Sequence, residues 1–319
     1  MGGFDGGRCG EPKFPMQSMR GTAGIGLRHP HLAQILRDKP KIDWLEVHTE
    51  NYMVDGGLRR QNLAAIAEHY PISFHGVGLS LGSAERPDNN HLQRLKALIN
   101  EIGPCQVSEH ISWSKLGHVY VGDLLPLPLT EEALECVSRN VAIAQDYLQQ
   151  TLLMENVSAF AELQAPEMTE AEFLTRLSHK TGCGILLDVS NLIVNERNLG
   201  RSANQLLADL PPEIVGEIHL GGHEEAADGL LIDSHAVPMS PASWRLYRTA
   251  MEQLGPVATL IEWDQDLPEF HVLSGLADQA KSIMSGLNNE RQSSILVSER
   301  LPNGAPNDID NTQGAPVLA

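Results

Sequence analysis

The chain has 319 residues, of which 42% are hydrophobic and 20% are charged, and its formal net charge is −18. This length suffices for one large domain with an ample core. The acidic balance argues against a nucleic-acid partner, and no apolar run reaches the roughly 20 residues that cross a membrane.

The chain begins with a segment rich in glycine and proline, and we expect residues 1–21 to be flexible. This segment lacks the apolar stretch of a signal peptide. The four cysteines are widely scattered, at Cys9, Cys105, Cys136 and Cys183. Scattered cysteines predict reduced thiols, so we expect a cytoplasmic protein.

Short apolar runs then alternate with helical patterns up to residue 287. The predicted strands are 23–29, 43–51, 72–80, 105–113, 152–158, 184–191, 215–223 and 258–264. Several predicted helices begin at capping residues: Thr130, Thr169, and Ser240 or Pro241. Several end at a glycine: Gly103, Gly182 and Gly255. From Asn288 the chain is rich in Asn, Ser, Pro and Gly, and residues 288–319 are predicted to be a flexible tail.

Eight strands alternating with helices predict an α/β fold in which residues 22–287 form one TIM barrel, a closed (β/α)8 barrel. The alternative is an open doubly wound sheet, which normally carries G-x-G-x-x-G in its first turn. The segment "GIGLRHP" at 24–30 has no third glycine. The closed barrel is therefore the predicted fold.

Polar groups stand at the carboxyl ends of seven consecutive predicted strands, where barrel enzymes place their active sites. In chain order they are His48, Glu50, Asn51, His75, Glu109, His110, Glu155, Asn156, Asp188, Asn191, Glu217, His219, His223, Asp233, His235, Glu262 and Asp264. One such residue alone would be unremarkable. Together, so many carboxylates at one mouth would cost several kcal/mol each to bury without a cation. Oxygen and imidazole ligands without thiolate suit iron, manganese or zinc, and their number suits two or three ions.

Three local spacings strengthen the prediction of a metal site. Asp188 and Asn191 lie three residues apart where a strand turns, and Asp233 and His235 lie two apart on one side of an extended segment. Glu217 and His219 share a strand face, and the glycines at 221–222 predict a close approach of the backbone to a bound group. A Walker loop, a nucleophile elbow and a basic patch with aromatic residues are absent from the sequence.

The motifs "WLEVHTENY", "FHGVGLSLGSA", "VSEHISW", "LLDVSN", "GEIHLGGH", "LIDSHAVP" and "TLIEWD" resemble those of the multinuclear non-haem iron-dependent oxidases. The resemblance covers about residues 22–282 and is greatest to the subgroup that acts on cysteine-containing ribosomal peptides. It implies a TIM barrel of the xylose isomerase-like superfamily. It also implies two or three iron ions in mixed valence, with dioxygen as cosubstrate.

The resemblance also implies roles for individual residues. The implied metal ligands are His48, His75, Glu155, Asp188, Asn191, His219, Asp233, His235 and Glu262, with Glu155 bridging two ions. Supporting or substrate-contacting roles are assigned to Glu109, His110 and His223, and with them to Glu50, Asn51, Asn156, Glu217 and Asp264. The chain departs from the family pattern at Ser190 and at Leu199, where Asn and His are common. The change at Leu199 places a substrate-loop contact in doubt.

The sequence thus predicts a non-haem iron oxidoreductase that modifies cysteine residues of a ribosomally synthesised peptide, aided by a small partner protein that binds the leader peptide. The alternatives are a zinc-dependent phosphodiesterase similar to endonuclease IV, a sugar isomerase-like metalloenzyme and a non-catalytic metal store. The acidic charge and the scarcity of Arg, Lys and aromatic residues near the motifs disfavour the phosphodiesterase.

Overall fold

Eight parallel strands form the centre of the molecule. The computed structural model describes residues 19–117 and 119–300, with side chains as far as residue 287. The barrel strands are β1 (Ala23–Gly26), β2 (Leu45–His48), β3 (Ile72–Gly76), β4 (Gln106–His110), β5 (Leu153–Glu155), β6 (Gly184–Asp188), β7 (Val215–Leu220) and β8 (Ala258–Ile261).

The eight strands pair in chain order, and β1 closes the ring by pairing with both β2 and β8. All of these pairings are parallel. The strands are buried almost throughout because helices cover the outside and side chains fill the inside, as in parallel sheets generally. The predicted closed barrel is confirmed.

Helices connect the strands around the outside. They are α1 (Leu32–Asp38), α2 (Leu58–Ala67), α3 (Asn89–Ile102), α4 (Glu131–Leu148), α5 (Glu170–Thr181), α6 (Val189–Leu199), α7 (Ala203–Asp209), α8 (Pro241–Leu254) and α9 (Phe270–Arg300). The predicted caps are confirmed: the side chains of Thr130, Thr169 and Ser240 each accept a hydrogen bond from the backbone N–H three residues on. The predicted glycine ends of α3, α5 and α8 are also confirmed.

Two antiparallel hairpins at the carboxyl ends of the strands were not predicted. The first hairpin comprises Ser112–Leu116 and Val119–Pro126, and the second comprises His223–Glu225 and Leu231–Asp233. The predicted strands 105–113 and 215–223 extend into these segments, because polar and apolar residues alternate on both sides of the bend. The barrel strands end earlier, at His110 and Leu220.

The carboxyl-terminal helix continues past the boundary predicted at residue 287. Helix α9 runs to Arg300 and includes the segment "SSILV". Neither glycine nor proline interrupts the chain between Leu287 and Leu301, so the backbone can remain helical. The predicted flexible segments otherwise fall on residues 1–18 and 301–319, outside the described residues. Within the described part of the chain, no helix is both long and apolar enough to cross a membrane.

Candidate metal centre

The central group of the site comes from four consecutive strands. Glu155 ends β5, Asp188 ends β6, His219 lies near the end of β7, and Glu262 directly follows β8. One ligand atom from each lies within 4.8 Å of the others, and all four residues are buried. Nδ1 of His219 is 2.9 Å from Oε2 of Glu262 and 3.6 Å from Oε1 of Glu155. The barrel thus gathers three carboxylates and an imidazole in its interior.

A second group shares Glu155 with the central group. Oε2 of Glu155 is 3.2 Å from Nε2 of His75 and 3.2 Å from Nε2 of His110. The two oxygens of Glu155 therefore face different groups, Oε1 towards His219 and Oε2 towards the two histidines. Such a carboxylate could serve as a ligand on both sides, in keeping with the bridging role predicted for Glu155. His110, which the sequence analysis assigned a supporting role, approaches Glu155 as closely as His75 does.

A third group lies at the rim and shares Glu262. It contains His48, Glu262 and Asp264. Nε2 of His48 is 3.8 Å from Oε1 of Glu262 and 3.7 Å from Oδ1 of Asp264. The guanidinium of Arg28, which the sequence analysis did not select, also lies in this group and donates to Asp264 at 2.5 Å.

The loop that begins with the second hairpin adds two further predicted ligands. Nε2 of His235 is 2.7 Å from Oδ1 of Asp233 and 3.8 Å from Oδ2 of Asp188, and its Nδ1 is 3.4 Å from Oε2 of Glu262. Both loop residues therefore lie beside the central group. His235 has a φ of 46°, an uncommon backbone conformation for a residue other than glycine.

The glycines at 221–222 make room for another part of the chain. A Cβ at Gly221 would overlap the ring of His235, and a Cβ at Gly222 would overlap the backbone carbonyl of Val237. These glycines let the loop that carries His235, a predicted ligand, pack against the end of β7. The expected approach of the backbone to a bound group stays a prediction.

Hydrogen bonds hold the imidazole rings in fixed orientations. Nδ1 of His75 is 2.8 Å from Oγ of Ser108, and Nδ1 of His110 is 3.0 Å from the carbonyl of Gly76, so each Nε2 points to Glu155. Nε2 of His219 is 3.3 Å from Oε2 of Glu46, so its Nδ1 points to the central group. Such partners of ligand histidines are typical of metal sites.

Sequence reasoning missed Glu46, which is fully buried below His219. A signal for it was present, because Glu46 lies two residues before His48 and a strand repeats its faces every second residue. Glu217, predicted as a supporting residue, lies in the same layer, with Oε1 3.4 Å from Nε2 of His219. The side-chain amide of Gln106 donates to Oε2 of Glu217.

Asn156 and Asn191, two of the three predicted asparagines, differ in their surroundings. The side chain of Asn156 donates to the carbonyl of Asp188 and accepts from its N–H, so it ties β5 to β6. Asp188 caps α6 through Oδ1, which accepts from the N–H of Asn191 at 2.7 Å. Oδ1 of Asn191 is buried and accepts no hydrogen bond from the described residues.

Two further predicted residues, Glu109 and Glu50, lie around the centre. Glu109 accepts hydrogen bonds from the N–H groups of Leu79 and His110. Glu50 pairs with His91 at 3.3 Å. These contacts order the loop after β3, which forms one side of the barrel mouth.

Two predicted residues, Asn51 and His223, lie apart from the groups of potential ligands, of which Glu46, His75 and His219 form a fourth among the described residues. Asn51 is exposed, and its backbone carbonyl accepts a hydrogen bond from Arg59. His223 is half-buried and pairs in register with Asp233 in the second hairpin.

Burial shifts the titration of the two central carboxyl groups strongly. Burial, reinforced by Glu262, raises the pKa of Glu155 to about 8, although nearby histidines lower it. Burial and the carboxylate of Asp233 raise the pKa of Asp188 to about 7. Both shifts show that the protein alone does not compensate these charges.

Neighbouring groups shift the pKa values of Glu262 and His110 so that the charged form of each is favoured. Although burial alone would raise the pKa of Glu262, His235 and His219 hold it well below its usual value. Burial alone would lower the pKa of His110, but the carboxylates of Glu155 and Glu109 raise it to about 9.

The donor set fits divalent metal ions. Oε2 of Glu155 and Oδ2 of Asp188 are buried and accept no hydrogen bond from the described residues. Buried carboxylate oxygens without donors are unfavourable unless a cation compensates them. Mixed carboxylate and imidazole ligands suit iron, manganese and zinc, and the shared Glu155 suits a pair of ions.

A family model described as the "RiPP precursor modification enzyme MbnB/TglH/ChrH" matches residues 22–285. RiPPs are ribosomally synthesised and post-translationally modified peptides. The chain belongs to the MbnB/TglH/ChrH family. The sequence resemblance to the multinuclear non-haem iron-dependent oxidases is thereby confirmed at the level of the family.

This member of the MbnB/TglH/ChrH family aligns with two relatives over nearly the full length of each relative. A UPF0276 protein of Chromobacterium violaceum is 46% identical over 271 residues, which cover 85% of this chain and 98% of the relative. A UPF0276 protein of Vibrio parahaemolyticus is 45% identical over 265 residues, covering 82% of this chain and 92% of the relative.

Solved structures share the fold of this family member at low identity. An L-ribulose 3-epimerase is 15% identical with a TM-score of 0.53, over 87% of this chain and 98% of that chain. A xylose isomerase domain-containing protein of Salmonella typhimurium is 12% identical with a TM-score of 0.53, over 87% of this chain and 98% of that chain. These similarities support the TIM barrel and, at this identity, concern the fold alone.

The two departures from the family pattern lie in different surroundings. Oγ of Ser190 donates to the carbonyl of Gly221 and accepts from its N–H, so it fastens the start of α6 to the end of β7. Leu199 lines a cavity of about 390 Å³ together with Arg201 and Leu206. None of the metal-ligand candidates lines that cavity.

Proposed function

We propose that this chain is an O2-dependent oxidase with a multinuclear non-haem iron centre, which modifies cysteine residues of a ribosomally synthesised peptide. The family supports a peptide substrate and an enzymatic role. Beyond the family, we propose that the metal is iron, that the reaction is an oxidation and that the modified residue is cysteine.

The observation that carries the proposal is the sharing of Glu155 between two buried ligand groups. Its Oε1 faces His219, and its Oε2 faces His75 and His110 at 3.2 Å each. With His75 and His110 on one side and His219 on the other, Glu155 would hold metal ions in both groups, and paired ions would supply the Lewis acidity and redox chemistry that such an oxidation needs.

Bound iron would supply Lewis acidity and one-electron chemistry with dioxygen. The protein's part is to hold, orient and shield. Ser108, the carbonyl of Gly76 and Glu46 fix the three histidine rings, and burial of the carboxylates excludes water from the centre. The two hairpins lie at the mouth of the barrel. The substrate would therefore approach the centre from the carboxyl ends of the strands.

The peptide partner is expected to carry cysteine, and a small protein that binds its leader remains a prediction. A zinc-dependent hydrolase, a sugar isomerase-like enzyme and a metal store are the contrary outcomes. The structural similarity to sugar epimerases adds no support for an isomerase, because it concerns the fold alone.

The test uses protein purified without oxygen, loaded with ferrous iron and mixed with a cysteine-containing precursor peptide encoded beside its gene. We expect oxygen uptake and an oxygen-dependent change in the mass of the peptide. The same peptide with serine in place of cysteine is the substrate control, and we expect it to remain unchanged.

Two variants make the test specific to the metal centre. Glu155→Gln removes the bridging charge, and we expect loss of both bound metal and oxygen uptake. Glu213→Gln changes an exposed glutamate and should leave both unchanged. Zinc as the only bound metal, with no oxygen-dependent mass change in the peptide, would contradict the proposal.

A further inference from the structure

Arg28 places a permanent positive charge inside the third ligand group. Its Nε and Nη2 donate to Oδ1 of Asp264 at 2.9 and 2.5 Å. Its Nη2 is also 3.1 Å from Nε2 of His48 and 3.9 Å from Oε1 of Glu262. The guanidinium therefore contacts every member of the group His48, Glu262 and Asp264.

The guanidinium and a metal ion would need the same atoms. Arginine only donates hydrogen bonds and stays charged at all ordinary pH values. Nε2 of His48 must therefore accept from Arg28, which uses the lone pair that a metal ion would need. Oδ1 of Asp264 is likewise engaged by two N–H groups.

The backbone is shaped to admit this side chain. Gly26, two residues before Arg28, ends β1, and a Cβ there would lie 2.7 Å from Nη1 and 2.9 Å from Cζ of Arg28. Real Cβ atoms do not approach so closely, so only glycine leaves the guanidinium in place. In the sequence "GLR" at 26–28, the glycine thus leaves the space that the guanidinium of Arg28 occupies at the rim of the barrel.

The central and second groups differ from the third in this respect. Glu262 belongs to both the central and the third group and lies 3.9 Å from Arg28. The other members of the central and second groups have carboxylates, histidines and neutral donors as close polar neighbours, whereas the third group contains a fixed cation that donates directly to Asp264. Its two carboxylates are compensated by Arg28, as a buried ion pair requires. A metal ion entering there would have to displace the arginine and would meet its charge.

We propose that Arg28 is the resident cation of the His48–Glu262–Asp264 group, so that the centre binds two metal ions tightly and a third only when Arg28 withdraws. This inference rests on the metal centre of the proposed function and not on its oxidase chemistry. It assigns the two tight ions to the groups that share Glu155.

The test is an anaerobic titration of metal-free protein with ferrous iron, followed by calorimetry and by elemental analysis of the bound metal. The wild type should bind two equivalents tightly and a third roughly 10- to 100-fold more weakly. Arg28→Ala should bind the third equivalent with an affinity close to that of the first two. Arg28→Ala combined with His48→Ala should lose this gain, because the opened group then lacks a ligand.

Arg59→Ala is the matched control, since Arg59 is exposed and contacts the nearby carbonyl of Asn51. It should titrate like the wild type. Arg28→Lys keeps the charge and should retain the two-ion stoichiometry, which guards against a folding defect in the alanine variant. Circular dichroism checks that each variant is folded.

Equal affinity for three ions in the wild type would overturn the inference without any variant. A folded Arg28→Ala protein that still binds only two ions would overturn it as well. If the wild type binds no ion tightly, the proposed metal centre fails. If it binds two ions but oxidises no peptide, the proposed function fails while the assignment of Arg28 stands.

Discussion

At the scale of single residues, the site depends on groups that orient the ligands as much as on the ligands. His219 presents Nδ1 to Glu155 and Glu262 because Glu46 faces its Nε2 at 3.3 Å. An imidazole that donates through one nitrogen keeps the other free for a metal ion. Glu46 therefore positions His219 from below, out of reach of the substrate.

We expect Glu46→Leu to lower metal affinity roughly 10- to 100-fold, because His219 loses the acceptor that fixes its ring. Glu46→Gln keeps an acceptor oxygen and should lose less. Competition with a chromogenic chelator measures the affinities, and Glu213→Gln serves as the surface control. Wild-type affinity in Glu46→Leu would show that the ring is held by other contacts.

At the scale of elements, the site is completed where a loop packs against the end of a strand. The segment after the second hairpin carries His235, and it reaches the central group because glycines at 221–222 leave space for it. Ser190 at the start of α6 fastens the same strand end through Gly221. The strand end, the helix start and the loop therefore form one packed unit.

Gly222→Ala should destabilise this unit, because the new methyl group would overlap the backbone carbonyl of Val237. We expect a loss of roughly 1–3 kcal/mol in the free energy of unfolding, measured with denaturant. Gly275→Ala is the matched control: it lies on α9 with nothing within 4 Å of a Cβ, and it should gain about 0.5–1 kcal/mol. Equal stability of Gly222→Ala and wild type would contradict the tight packing of the loop.

At the scale of the whole molecule, the barrel concentrates carboxylates in its interior, and the chain as a whole carries a formal net charge of −18. In the metal-free protein the pKa of Glu155 is raised to about 8 and that of Asp188 to about 7, mainly by burial. The pKa of His110 is raised to about 9 by neighbouring carboxylates, against the effect of burial. At neutral pH Glu155 and His110 therefore hold protons for most of the time and Asp188 for about half of it, and a metal ion must displace them.

Metal affinity should therefore rise with pH between about 6 and 8, by up to about tenfold per pH unit for each proton displaced. The sign follows from the raised pKa values of the carboxyl groups. A protonated carboxyl group does not bind the ion, and the protonated fraction falls as the pH rises, so the fraction that can bind metal increases. Calorimetry in two buffers of different ionisation enthalpy measures the protons released. Affinity that is constant across this range, without proton release, would contradict the assignment of these groups as ligands.

Much of the barrel could be read from the sequence, because strand and helix periodicity are local and each of the eight strands carries its own apolar run. The polar strand ends were also visible, since the carboxyl ends of parallel strands meet at one mouth wherever they occur along the chain. The two hairpins were missed because polar and apolar residues alternate in them as they do in the strands that precede them.

The local pattern of the chain was therefore sufficient to predict the barrel and the set of polar groups at its mouth. Which of these groups share a partner became visible only in the folded chain: Glu155 lies between two groups, Glu46 lies beneath His219, and Arg28 contacts Asp264 at a separation of 236 residues. Periodicity reports on a few neighbouring residues, whereas closure of the barrel brings its first and last strands together. Contacts across that closure have no local signal in the chain.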